Sequence, residues 1–206
     1  MAGGDEAMDD AATGEGSWAS EPAGDRTLEE NWLFRLRRER FRSRRTGQAH
    51  DYYVVHLADA VTAVATTPDG RVVLVRQFRA GSRRDHWETP GGLLAPGEDP
   101  GVAGARELFE ETGYRGDPPI VLGTVWTNPA LVTTRMTTLL IANARPVGDA
   151  TPDEAEEVEV GLFARDEVAA RVADGRIDHA LAYLALLTWL ARPGQGAIDG
   201  LNVESS

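Results

Sequence analysis

Glu107, Glu110 and Glu111 stand three and four residues apart in the run Arg106-Glu107-Leu108-Phe109-Glu110-Glu111. On a helix those offsets put all three carboxylates on one face. Like charges so placed repel by roughly 0.2–0.5 kcal/mol per pair, so the face needs a counter-charge. Arg106, four residues before Glu110, supplies one. A hard divalent cation with oxygen ligands is the natural second. Read alone, the triplet also fits a glutamate-rich surface helix. Oxygen donors suit Mg²⁺ or Mn²⁺ and not zinc. The four histidines, His50, His56, His86 and His179, are scattered without metal-ligand spacing.

The elements that must position these groups can be read along the chain. A helix is expected over 100–112, ended by Gly113 as its left-handed stop, with Val102, Ala105, Leu108 and Phe109 toward the core. A loop with Gly91-Gly92 and Pro96-Gly97 precedes it. Strands are expected over 60–66 and 71–78, joined by Pro68-Asp69-Gly70, an Asp-Gly turn between Val-rich runs that signals a hairpin. Further strands are expected over 120–126 and 137–142. An acidic loop, 153–157, leads to a strand over 158–164, then helices over 165–174 and 178–191. In the last, Leu181, Leu184, Ala185, Leu187 and Trp189 read as packed core.

The N-terminal part differs. Residues 1–30 hold nine acids against the single base Arg26 and show no periodicity. They read as a disordered tail over residues 1–25. Residues 33–45 hold seven arginines and one glutamate. With the turn at Thr46-Gly47-Gln48 and the β-rich run 52–57, they predict a second hairpin. The arginine run reads as a solvated strand face or a phosphate-facing edge.

Composition narrows the chemistry. The chain has 206 residues, 42% hydrophobic and 26% charged, which suits one globular domain with a real core. There is no cysteine and no lysine. That excludes disulfides, thiolate nucleophiles, iron–sulfur clusters, a P-loop lysine and Schiff-base chemistry. The net charge of −12 makes nucleic acid a poor partner. The acidic N-terminus lacks a signal peptide's apolar core, and the longest apolar run is too short to span a bilayer, so no membrane partner and a cytoplasmic location are expected.

Gly92, five residues, Glu98, seven residues, then Arg106-Glu107-Leu108-Phe109-Glu110-Glu111-Thr112-Gly113-Tyr114 resembles the Nudix box. Only Tyr114 is unusual, where Ile, Leu or Val is commoner. Gln77-Phe78-Arg79 and Trp87-Glu88-Thr89-Pro90-Gly91-Gly92 resemble the approach to the box in ADP-ribose pyrophosphatase-like members, and the resemblance spans roughly residues 33–191. It implies an α/β (α+β) Nudix fold, a mixed β-sheet sandwiched between helices, with an N-terminal β-hairpin extension. The domains would be an acidic tail (1–25), the extension and a dimer interface (26–59), the hydrolase domain (60–192) and a loose tail (193–206).

The resemblance also implies roles. The reaction would be Mg²⁺- or Mn²⁺-dependent hydrolysis of a nucleoside diphosphate linked to another moiety, ADP-ribose or a similar nucleotide sugar, giving AMP and a sugar phosphate. Metal ligands would be Glu107 and Glu111, with Glu110 joining directly or through water, the Gly91 carbonyl, and Glu98 nearby. Arg106 would orient the box carboxylates. The general base would come from the acidic loop: Glu154 first, then Glu156 and Glu157. Arg79 would bind phosphate. Glu88 would touch substrate or hold structure. Trp32 and Phe34 would stack an adenine or pack an interface of a homodimer. One stretch departs from the pattern: Pro129 is in place, but the glycine and acid expected after it are not, so Asn128 and Arg135 become candidate substrate readers. The alternative is a Nudix module that senses nucleotides without turnover.

Overall fold

The structure, a computed structural model, describes residues 16–151 and 157–192. It divides into two compact units, one running to residue 57 and including 128–133, the other holding 58–127 and 134 onward.

In the first unit, β1 (Trp18–Ser20), β2 (Arg26–Glu30), β3 (Arg35–Ser43) and β4 (Ala49–His56) form an antiparallel sheet built on β3. β4 pairs along β3 from Arg35↔His56 to Arg42↔Ala49, while β2 and β1 follow one another along the other edge. This is the hairpin expected from the arginine-rich run, with Gly47 at φ 70° in its turn. Residues 128–133 join the same unit: Val55 N–H donates to the Leu131 carbonyl and Thr133 N–H to the Val55 carbonyl.

The expectation of disorder up to residue 25 is corrected: Trp18–Ser20 is a strand and Pro22–Gly24 a 3-10 turn. The cause is charge complementarity between neighbouring segments. Glu21 accepts from Arg42 at 2.5 Å, Asp25 from the Arg37 guanidinium at 3.1 Å and the Arg40 backbone N–H at 3.0 Å, and Glu30 from Arg35. Asp25 is the most buried of these acids, its side chain 11% exposed, while the Glu21 and Glu30 pairs are more open to solvent screening. Trp18 adds edge-on packing against His50 and Tyr52, with ring centroids 5.3 and 5.6 Å away. Asp25→Ala should therefore raise amide exchange across residues 18–25 several-fold while leaving the strands at Ala60–Thr66 and Val72–Arg79 unchanged; equal protection in both proteins would show that the charges are incidental. Residues 1–15 lie outside the described residues.

In the second unit the sheet runs β10 (Ile120–Trp126), β11 (Arg135–Ile141), β5 (Ala60–Thr66), β6 (Val72–Arg79), β13 (Glu159–Phe163). β11 is parallel to β5 and the other pairs are antiparallel. β7 (Arg84–Glu88) pairs β6, and β8 (Gly91–Leu93) pairs β5. A short ladder joins β9 (Tyr114–Arg115) to β12 (Arg145–Pro146).

Strand alternation builds two cores. Val61, Ala63 and Ala65 of β5 and Val73 of β6 pack with Ala103 and Leu108 of α1 (Pro100–Thr112). Val64, Val72 and Leu74 point the other way, toward α2 (Arg165–Ala173) and α3 (Ala180–Leu190). The sheet is thus mixed and sandwiched between helices, as the sequence implied. β5 and the first half of β6, residues 72–75, are buried on two faces, which explains their near-continuous Val and Ala runs.

Two helix faces differ from expectation. On α1 the residues facing the core are Ala103, Gly104 and Leu108, while Val102 is 61% exposed. Gly104 makes this seating fit, because a side chain there would run into Leu139 and Val61. On α3, Leu186 and Leu190 are buried and Leu184 is 39% exposed. That helix is apolar all round, so periodicity could not select its buried face.

Candidate active site

α1 starts and stops where its local chemistry dictates. Asp99 caps it by accepting from Val102 N–H, Pro100 opens it, and Gly113 closes it at φ 74°. That window delivers the acidic residues to the sheet. Glu111 is only 3% exposed. One carboxylate oxygen accepts from Gln77 Nε2 at 3.1 Å, the other from the Gly91 backbone N–H at 3.1 Å. Glu107 lies beside Gly92, where a Cβ would come within 2.5 Å of Glu107 Oε1. The glycine at the box's first position therefore leaves the space that the Glu107 carboxylate occupies.

Arg106 gathers the remaining acids. Its guanidinium donates to both oxygens of Glu98 at 3.2 Å, to Glu107 at 2.9 Å and to Glu110 at 3.0 Å. Glu98 also accepts from the Ala95 backbone N–H. The Arg106 hydrogen bonds, and then that N–H, hold the Glu98 carboxyl below its usual range. Reciprocally, Glu98 first and the other two acids raise Arg106 above its ordinary value.

A second cluster lies on β6 and β7. Arg79 and Gln77 alternate on one face of β6. The Arg79 Nε and Nη2 donate to the two oxygens of Glu88 at 3.0 and 2.9 Å, a bidentate pair on a carboxylate that is 3% exposed. His179, just before α3, has Nδ1 3.5 Å from Glu88 Oε2. Burial pushes the His179 imidazole below its usual value; the Glu88 charge opposes this, and Arg79 reinforces it.

The unfolded chain takes up a proton on this histidine near pH 6.5 and the native protein does so only at lower pH, so stability falls as pH drops below about 6.5. His179→Asn should remove part of that loss: its urea midpoint should fall less than wild type's between pH 7.5 and 5.5. Identical falls would show that His179 titrates normally.

The expected site residues thus fall into groups. Gly91, Glu98, Arg106, Glu107, Glu110 and Glu111 come together around α1 and β8; Arg79 and Glu88 pair directly. Arg135 has its guanidinium 5.8 Å from the exposed Trp126 ring, and its backbone N–H donates to Asp59. Asn128 belongs to the other unit, where its carbonyl accepts from Leu131 and Val132. Trp32 is there too, 92% exposed after β2. Of the acidic loop, Glu157 is exposed just before β13, and Glu154 and Glu156 lie outside the described residues. Gln77 was missed as a site residue. Its signal was strand alternation: a polar side chain continuing the Val73, Val75 face into the chemistry.

The described residues contain no group of three acidic or imidazole side chains converging as a metal cluster. The donor set still fits a hard cation in chemistry: carboxylates on one helix face, with the Gly92 cradle leaving one of them room.

A mixed sheet between helices, carrying this glutamate-bearing helix beside two glycines, defines a class of protein. The NUDIX domain profile matches residues 56–184, and the chain belongs to the Nudix family, as a Nudix pyrophosphohydrolase. It is 34% identical over 164 residues to an ADP-ribose pyrophosphatase of Mycobacterium tuberculosis, covering 78% of each chain. It is 30% identical over 146 residues to an ADP-ribose pyrophosphatase of Bacillus subtilis, covering 68% of this chain and 79% of that one. Among solved structures, an ADP compounds hydrolase superposes with a TM-score of 0.75 at 20% identity, covering 87% of this chain and 97% of that chain, a likeness of fold. Among the described residues, no helix is long and apolar enough to cross a membrane.

Proposed function

We propose that the protein hydrolyses the diphosphate of ADP-ribose, or of a similar nucleotide sugar, to AMP and a sugar phosphate. The observation that carries the reading is Glu111, a carboxylate kept 3% exposed and hydrogen-bonded through both oxygens on the family's own helix. Similarity to two ADP-ribose pyrophosphatases supports the choice of substrate.

Glu107 and Glu111, with the Gly91 carbonyl and Glu110 and Glu98 nearby, are the residues that would hold Mg²⁺ or Mn²⁺. Such a cation shields phosphate charge and lowers the pKa of water. Arg106 holds Glu98, Glu107 and Glu110 together through its hydrogen bonds. Arg79 binds the diphosphate, whose paired oxygens suit a guanidinium fork. The proton of the attacking water goes to a glutamate of the acidic loop, Glu154 before Glu156 and Glu157. Asn128 and Arg135 read the part of the substrate beyond the diphosphate. Trp32 stacks an adenine or packs the interface of a homodimer; Trp32→Ala raises KM with the dimer intact in the first case and yields monomers by light scattering in the second.

A hydrolysis panel with excess Mg²⁺ and products identified by mass tests the function. AMP and ribose 5-phosphate from ADP-ribose support it. Cleavage of another diphosphate alone moves the specificity to the Asn128–Arg135 departure. Tight binding without turnover on any member replaces the reading with a nucleotide-sensing module.

A further inference from the structure

Ser82, His86 and Asp178 form a hydrogen-bonded chain that no reading of the box touches. Ser82 Oγ lies 2.5 Å from His86 Nε2, and His86 Nδ1 lies 2.6 Å from Asp178 Oδ1. Arg84 pairs with the other oxygen of Asp178. His86 is buried, 7% exposed, and the contact to Asp178 spans 92 residues of sequence. The order hydroxyl, imidazole, carboxylate matches a nucleophile relay. Yet the backbone N–H groups of Ser82 and Arg83, the donors nearest the hydroxyl in sequence, both go to the Arg79 carbonyl, at 3.2 and 2.8 Å, so neither is left to hold an oxyanion.

The chain's destination is Arg79. Ser82 Oγ also lies 3.1 Å from the Arg79 carbonyl, so the hydroxyl stitches a turn in which Arg83 takes a left-handed φ of 59°. A non-glycine residue in that region is strained and needs support from its surroundings. At the other end of the same residue, the Arg79 guanidinium is held by Glu88, with His179 beside it. Two consecutive residues before α3, Asp178 and His179, therefore face the supports of both ends of Arg79. Asp178 reaches the backbone end through His86 and Ser82; His179 sits against the side-chain end through Glu88.

We infer that Asp178 is a positioning residue for Arg79, acting through His86 and Ser82, and that it sets how well Arg79 receives the substrate's diphosphate. This rests on the proposed role of Arg79. The two ideas separate experimentally, because the order of the Arg79 side chain can be read without turnover.

Asp178→Ala, with ADP-ribose and Mg²⁺, should raise KM about five- to tenfold with kcat within about twofold, since a loss of ground-state and transition-state binding together appears in KM. Asp178→Asn, whose amide oxygen can still accept from His86, should restore part of the loss. In an Arg79→Ala background, Asp178→Ala should add less than about twofold, the non-additivity expected of residues acting as one unit. Independently, the Arg79 Nε–H resonance, assigned by its loss in Arg79→Lys, should be sharp and slowly exchanging in wild type and broadened in Asp178→Ala and in Ser82→Ala. The exposed Ser82 site keeps the test open if Asp178→Ala folds poorly. Additive effects with Arg79→Ala, a fall in kcat at unchanged KM, or an unchanged Arg79 resonance would overturn the inference. A wild-type protein inert on every diphosphate of the panel would overturn the proposed function, and the resonance would still decide this point.

Discussion

Glu111→Gln lowers kcat about 10³-fold while the protein keeps its fold. The substitution is isosteric and leaves an amide oxygen to accept from Gly91 N–H or Gln77 Nε2, though not from both through two oxygens. What it removes is one negative charge at a site where the bound cation would supply several kcal/mol of transition-state stabilisation. Losing about 4 kcal/mol of that corresponds to a thousandfold in rate. Circular dichroism and thermal melting should stay close to wild type. Rates within tenfold of wild type would mean that the box glutamates do not carry the reaction. Unfolding would leave Glu107→Gln as the better probe, since the Glu107 carboxylate sits beside Gly92 rather than between two buried donors.

Adjacent glycines should fail in opposite ways. At Gly91 an added Cβ would meet the backbone of β5, lying 2.9 Å from Thr62 Cα and closer still to the Val61 carbonyl oxygen. Backbone cannot turn aside as a side chain can, so Gly91→Ala should cost about 3 kcal/mol or more, at the upper end of overpacking penalties. In a chain of this size that lowers Tm by roughly 6–12 °C. At Gly92 the three atoms nearest the added methyl all belong to the Glu107 carboxylate, the movable end of a side chain. Gly92→Ala should therefore melt within a few degrees of wild type and lose most of its hydrolysis. The reverse pattern, a stable Gly91→Ala and an unfolded Gly92→Ala, would contradict this account of the β8–α1 junction.

Much of this architecture was legible in local signals. The bounds of α1 followed from Pro100 and Gly113, and the β5–β6 hairpin from Asp69-Gly70, whose glycine takes φ 82°. The carboxylate spacing needed only the helical repeat. Local signals failed where partners are remote or the pattern is uniform. The strand Trp18–Ser20 was hidden in an acidic stretch because its stability depends on arginines of β3 and on Tyr52 and His50. The buried face of α3 was hidden because the helix is apolar on every side.

By itself, then, the sequence determined which residues carry charge on one helix, what kind of ligand could balance them, and the family to which the chain belongs. Those properties depend on residue type and short-range spacing, which no folding event alters. Tertiary structure alone decided which polar side chains are held and by what: Glu111 by a glutamine 34 residues away, Glu88 by Arg79, and His86 by an aspartate 92 residues on. Those pairings are set by strand register and helix packing, and so by the burial of two cores assembled from distant segments. A one-residue shift of β6 against β7 would turn Arg79, Gln77 and Glu88 to opposite faces of the sheet.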